Sequence, residues 1–396
     1  MLLKNASILL GKELEYVSEI NLKISNQRFI SIQKNIRPSA KEETVDCEGL
    51  LIIPGFINAH THIGDSIAKD ITLNSSVDER IHPVFGAKPK ILKKTRPSQL
   101  ASFMKNTCNS MLRKGITTFV DFREGGLEGV NLLKDVLLHV PIRSIILGRI
   151  DYYQNTKQIR QKTELPRERQ EELDELLKKC DGIGISGANE NSNSVLKSYS
   201  RTKKLRAIHA AETKESVNQS KKVSKKSEVI RALELKPHFL VHMSFASKPE
   251  LNLVAKKTRG IVVCPRANAA LAEGIPDVDL MLKSGCNITI GTDNVMLNSP
   301  DMFREMDYLW KVTMALHKKR INPKTILKMA TVNAGNLLHK DIGVIENTKL
   351  ADCIFVNKHA IDLEPMHNPH ASIVHRASES VIRAVMVGGE IAYGKI

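Results

Sequence analysis

The stretch LLIIPGFINAHTHIGD, from Leu50 to Asp65, carries an apolar run directly into two histidines one residue apart. Alternate residues of a strand point to the same side, so the imidazoles of His60 and His62 can converge on one point. A buried strand that ends in polar, metal-seeking side chains is what the carboxyl end of a parallel barrel strand looks like, because active sites collect there. Seven further segments repeat the pattern downstream: GITTFVDFRE (115–124), PIRSIILGRID (141–151), GIGISGANE (182–190), LRAIHAAE (205–212), HFLVHMS (238–244), GIVVCPRAN (260–268) and NITIGTDN (287–294). A charged or amphipathic segment of helical length follows each one. Eight alternating units over residues 51–300 predict an α/β fold, a (β/α)8 TIM-like barrel.

Outside the barrel the periodicity changes. Runs such as Ala6–Leu10 and Ile20–Ile24 alternate apolar and polar residues, and so do 350–357 and 379–394. That alternation predicts half-buried antiparallel strands. The expected organisation is a small β-sandwich built from both chain termini, residues 1–50 and 338–396, beside a hydrolase barrel over 51–337. No run approaches the ~20 apolar residues of a membrane helix, and Glu13 and Glu15 interrupt the N-terminus before a signal segment develops. A cytoplasmic protein with no membrane partner is expected. The six cysteines are at least 22 residues apart, which fits neither a disulfide framework nor a zinc ribbon, and they read as buried free thiols.

The formal charge of +16, from 59 basic and 43 acidic residues, would suit a nucleic-acid partner, but its distribution argues against one. Lysines cluster between the motifs, at 88–94, 203–204 and 221–226. The segment from Arg160 to Lys179 mixes signs like a solvated helix face. One Trp and 4% aromatic content supply little for base stacking.

The residues at the strand ends carry the chemistry. The first strand ends in His60 and His62, the fifth in His209, the sixth in His242 and the eighth in Asp293. Three histidines and a carboxylate are a ligand set for one divalent ion, zinc or iron(II), with a position left open for water. No lysine ends the fourth strand candidate, so a carbamylated lysine bridging a second ion has no source. Glu212, three residues past His209, is placed to shuttle a proton. His242 is either a further ligand or a group that steadies the developing tetrahedral centre. Asp65, Arg123, Glu124, Arg149, Asn189 and Asn268 also lie at strand ends and are candidates to bind substrate. His367, His370 and His375 are separated by Pro369 and read as structural.

With these motifs in order, PGFINAHTHIGD, IHAAET, LVHMS, CPRANAAL, GTDN, TVNAGNLL and MVGGEIAYG, the chain resembles the amidohydrolase superfamily, in its cytosine-deaminase-like and chlorohydrolase-like branch. The resemblance implies metal ligation by His60, His62, His209 and Asp293, catalytic roles for Glu212, His242 and Asp293, and a homo-oligomer. It implies a hydrolase of non-peptide carbon-nitrogen bonds acting on a small molecule. Deamination of a pyrimidine, purine or pterin type of amidine by metal-bound hydroxide is the leading expectation. Hydrolysis of a cyclic amide or triazine by the same site, or a non-catalytic binding protein of this fold, are the alternatives. The sequence departs from the pattern at Ala267, where the family's CPxSN segment has serine, and in the lysine-rich connection after His62.

Overall fold

The computed structural model describes residues 1–39, 42–318 and 320–396. Parallel strands Phe56–His62, Ile116–Arg123, Arg143–Gly148, Gly182–Ile185, Leu205–Ala210, Phe239–His242, Ile261–Val263 and Ile288–Ile290 are each hydrogen-bonded to the next. The ring closes through the last of them. Ile288–Ile290 pairs with Ile261–Val263, and a few residues on, Asp293 and Asn294 pair with Thr61 and His62 of the first strand. Gly291 sits at this seam, where a Cβ would lie 2.7 Å from the Cβ of His60, so only glycine lets the two strands approach this closely. Most strand residues are buried on both faces, as expected where helices cover a parallel sheet.

The opening stretch divides at Gly55. Leu50–Pro54 pairs with Cys353–Asn357 and with Ser7 and Ile8 in a second sheet, whereas Phe56–His62 enters the barrel. The reading of LLIIPGFINAH as one barrel strand is corrected accordingly: the hydrophobic run is continuous because both halves are buried, in different sheets. The second sheet joins the two ends of the chain in the order 390–394, 382–387, 353–357, 50–54, 2–10, 15–25 and 28–33, with Thr44–Asp46 also on the 2–10 strand. Its own core gathers Leu3, Ile8, Leu22, Phe29, Phe355 and Met386.

Arg143 of the third barrel strand grips Asp352 of the terminal sheet through two hydrogen bonds, 2.7 and 3.2 Å, and Asp352 also accepts the Gly388 N–H at 2.6 Å. The helix Arg167–Lys179 has the solvated face its sequence predicts, with Arg167–Glu171, Arg169–Glu172 and Lys178–Glu175 pairs. All six cysteines are buried and free. Pro369 turns out to start a short helix, Pro369–His375, rather than to break one. Its histidines still face different structural partners: His370 bonds the Leu14 carbonyl at 2.7 Å and His375 stacks on Trp310. Among the described residues no helix is long and apolar enough to cross a membrane.

Asp352→Ala removes a buried carboxylate that three donors need. The expected loss is about 3 kcal/mol of folding free energy, read as a lower urea midpoint at unchanged slope.

Candidate metal centre and active site

His60, His62, His209, His242 and Asp293 project from the ends of four strands and are all more than nine-tenths buried. Phe122 packs beneath them, its ring centre 4.4 Å from that of His60 and 4.9 Å from that of His209. His60 Nε2 lies 3.1 Å from His209 Nε2 and 3.2 Å from Asp293 Oδ1. His62 Nε2 lies 3.4 Å from His209 Nε2 and 3.6 Å from Asp293 Oδ1. A tetrahedral ion with bonds of about 2.0–2.1 Å keeps its ligands about 3.3–3.4 Å apart, so these four atoms have the spacing of a ligand cage. The ligand atoms of His60, His209, His242 and Asp293 also lie within 4.8 Å of one another. The two sets share three members. His62 fits the cage more closely, because its other nitrogen is anchored behind it while His242 turns Nε2 toward Glu212, 3.5 Å away. Either way, a His/His/His/Asp site fits a single divalent ion.

The protonation states suit that role. Burial lowers the pKa of His60, His62 and His209, for His62 to about 3 with help from the nearby Lys88 charge, so the imidazoles are neutral and their nitrogens free to ligate. Burial opposes the ionisation of Asp293, but the hydrogen bond from His60 and the surrounding imidazoles outweigh it and keep the carboxylate charged. Asp293 Oδ2 and His60 Nδ1 are buried without hydrogen-bond partners. His242 and Asp293 hold backbone φ of 72° and 62°, left-handed conformations that cost energy for residues with a Cβ and that aim both side chains inward.

Behind His62 stands a buried ionic network. Glu124 Oε1 accepts from His62 Nδ1 at 2.8 Å and meets Lys88 Nζ at 2.6 Å and Arg149 Nη2 at 3.5 Å, while its Oε2 meets Arg123 Nη2 at 3.0 Å. Lys88 also donates to Asn294 Oδ1 at 2.7 Å and lies 3.2 Å from Asp65 Oδ2. The lysine comes from the helix Ala87–Lys94 in the connection that crosses the barrel mouth; Lys90, Lys93 and Lys94 of that helix are exposed. Burial opposes the charges of Lys88 and Glu124, and each holds the other ionised.

The cavity in front of the ligands measures about 120 Å³. Of the six residues expected from sequence to touch substrate, Arg149 and Asn189 line it. Asp65, Arg123 and Glu124 do not: they lie in the layer that supports His62 and Lys88. Asn268 likewise backs the site, its Oδ1 3.4 Å from His242 Nδ1. Glu212 lines the cavity with Oε1 unpartnered, and burial, reinforced by the Asp293 charge, pushes its pKa up to about 7. Four charged cavity residues were not among the expected site residues: Asp78, Lys88, Glu190 and Glu228. Glu190 ends the quoted segment GIGISGANE, the signal that could have found it. Asp78, Lys88 and Glu228 lie in connections, where nothing in the pattern separates an inward charge from a solvated one.

The amidohydrolase family profile matches residues 51–392. The chain is 34% identical over 399 residues to a protein of Methanothermobacter thermautotrophicus whose aminohydrolase name is provisional, covering 99% of this chain and 98% of that one. It is 28% identical to the 5-methylthioadenosine/S-adenosylhomocysteine deaminase of Thermococcus sibiricus, covering 99% and 93%. Among solved structures, the zinc-bound adenosine deaminase of Xanthomonas campestris superposes with a TM-score of 0.79 at 20% identity, covering 98% of this chain and 92% of the other. The zinc complex of atrazine chlorohydrolase from Arthrobacter aurescens superposes at 0.82 and 14%, covering 98% and 94%.

Two outcomes follow from the buried charges. Lys88→Met leaves Asp65 without its cation, takes one of three cations from Glu124 and loosens the anchor of His62; divalent-ion affinity, measured by chelator competition, is expected to fall about 10- to 100-fold. Glu305, fully buried against Arg266 of the CPRAN turn, has its pKa pushed up to about 8 by burial. Ionisation is harder in the folded chain than in the unfolded one, so the stability this group contributes is complete below its ordinary value of 4.5 and is lost as pH rises through about 8. The metal-free protein is expected to melt at lower temperature at pH 8 than at pH 5, and Glu305→Gln to flatten that slope.

Proposed function

The chain belongs to the amidohydrolase family, and from that membership we propose that it is a hydrolytic deaminase of an amino-substituted heterocycle, working with one divalent ion, zinc or iron(II), held by His60, His62, His209 and Asp293. The observation that carries the reading is Glu212, a cavity carboxyl with an unpartnered buried oxygen beside His242. Its pKa near 7 suits a group that must take a proton and give it back at neutral pH. The relatives named as deaminases support the same chemistry.

A divalent ion in this cage supplies a Lewis acid that makes a water nucleophilic near neutrality. The chain's own residues do the rest. Asp293, with Oδ2 free, accepts a proton from the attacking water. Glu212, protonated at the start, gives its proton to the ring nitrogen next to the attacked carbon, then takes the remaining proton of the new hydroxyl group and passes it to the departing amine; the proton held by Asp293 returns to Glu212 to close the cycle. Water and the amino heterocycle thereby become the oxo heterocycle and ammonia. His242, whose Nδ1 faces Asn268, presents Nε2 to the charge that develops at the tetrahedral carbon. The same proposal places the enzyme in the cytoplasm, where free thiols persist, with a small-molecule substrate and a homo-oligomeric assembly that sizing chromatography tests.

The test is ammonia release from a panel of amino heterocycles by metal-reconstituted protein. Asp293→Ala is expected to abolish metal-dependent turnover. Glu212→Gln is expected to keep its metal and lose about 10²–10⁴-fold in kcat; full activity in that variant would remove the proton shuttle from the mechanism. A protein that takes up no divalent ion and releases no ammonia would be a binding scaffold.

A further inference from the structure

The cavity wall away from the Lys88 network is built by the loop after the fourth barrel strand and the segment after the fifth. Glu190 and Glu228 stand there side by side, and neither has a role in the mechanism above. Glu228 is 4% exposed. Its Oε2 accepts from Ala211 N at 3.0 Å and Ser216 Oγ at 2.7 Å, which fixes the side chain. Glu190 has one neighbour of this kind, Ser186 Oγ, at 3.4 Å from its Oε2. Both carboxyls face the gap over Gly187: a Cβ there would lie 2.9 Å from Glu190 Oε2 and 3.8 Å from Glu228 Oε1. The absent side chain thus leaves room between two acceptors, one of them fixed, on a wall of the same cavity as the metal ligands.

The charge balance of the cavity decides what can fill that room. Five carboxylates line it, those of Asp78, Glu190, Glu212, Glu228 and Asp293, against two cations, Lys88 and Arg149. Lys88 is saturated by Glu124, Asn294 and Asp65. Arg149 is more than nine-tenths buried with its Nε unpartnered, but Glu124 holds its Nη2 and the charges of Asp151 and Glu190 surround it. Neither cation is thus free to receive a phosphate or carboxylate, and at the far wall such a group would face the carboxyls of Glu190 and Glu228. Burial pushes both Glu190 and Glu228 up to about 7, helped by the charge of Glu228 at Glu190 and of Glu212 at Glu228, and the hydrogen bonds and the Arg149 and Arg231 charges around them do not offset it. The volume, about 120 Å³, is close to the ~150 Å³ of a cavity that accepts benzene, so one ring fits.

We propose that Glu190 and Glu228 form the specificity subsite of this active site, and that the substrate is an uncharged single-ring amino heterocycle carrying a second hydrogen-bond donor, an amino or ring N–H group, on the edge that meets them. The proposal rests on the deaminase reading for the reacting amine, while the subsite concerns the other end of the molecule.

The experiment uses the metal-loaded protein and a matched set of probes: 4-aminopyrimidine, its derivatives with a further amino group at ring position 2, 5 or 6, and the corresponding carboxylates. Binding is measured by calorimetry and ammonia release separately. At least one diamino probe is expected to bind about tenfold more tightly than the parent, the worth of one hydrogen bond to a charged group, and the carboxylates more weakly. Glu190→Gln is expected to erase most of that preference. Gly187→Ala, which keeps both carboxyls but fills the gap, is expected to erase it as well. Equal binding of parent and diamino probes, tighter binding of a carboxylate through Arg149, or an undiminished preference in both variants overturns the subsite. Discrimination without ammonia release leaves the subsite standing and removes the deaminase reading; ammonia release without discrimination does the reverse.

Discussion

One carboxylate, Glu124, ties the site together. It receives His62 from the first strand, Arg123 from its own, Arg149 from the end of the third and Lys88 from the connection over the mouth. An isolated charge at this depth costs several kcal/mol in desolvation, and so does each of its partners, so none is stable there without the others. The consequence is geometric. A histidine that must present one nitrogen to a metal is steered by whatever holds the other, and here that holder is itself fixed from three directions. The connecting segment is bound to the metal centre by the same interaction, because Lys88 cannot leave without stranding Asp65 and weakening the hold on Glu124.

This network also explains why a chain of net charge +16 surrounds an acidic cavity. The exposed lysines 90, 93 and 94 share a helix with Lys88, yet only Lys88 points inward, where three oxygens use its charge. The excess of positive charge is therefore a property of the outer surface, screened by salt over about 8–10 Å. The interior balance is set by carboxylates. Several of them, Glu190, Glu212 and Glu228 among them, are pushed toward neutrality by burial, which keeps the cavity from accumulating the full repulsion of its acids.

The barrel was legible because its strands are short apolar runs ending in polar residues, and the ligand cage because His60-Thr61-His62, His209 and Asp293 fall at those ends. The division at Gly55 was not legible, since Leu50–Pro54 and Phe56–His62 are equally buried and hydropathy does not distinguish two adjoining cores. The supporting layer was partly visible: Asp65, Arg123 and Glu124 were singled out as strand-end residues, but a strand end says only that a side chain is near the mouth. Whether it lines the cavity or stands behind a ligand depends on side-chain reach and on partners from distant segments. Lys88 is the clearest case, one lysine of a basic cluster whose inward turn is decided by Glu124, 36 positions away.

The site carries strain where it carries chemistry. His242 and Asp293 occupy left-handed backbone conformations, and each is held by interactions that outweigh the local cost. For Asp293 these are the seam pairing with Thr61, the bond from His60 and the side-chain amide of Asn294 at 2.9 Å, the asparagine that also receives Lys88. The closure of the barrel, the aim of a metal ligand and the anchoring of the mouth segment thus share two consecutive residues. A change at Asn294 would be felt at all three, although its side chain reaches the metal cage only through Asp293. That coupling requires the eighth strand to break at Gly291 and Thr292 and change partner from the seventh strand to the first, because only a chain that crosses the seam there can present Asp293 to the histidines while it pairs with Thr61.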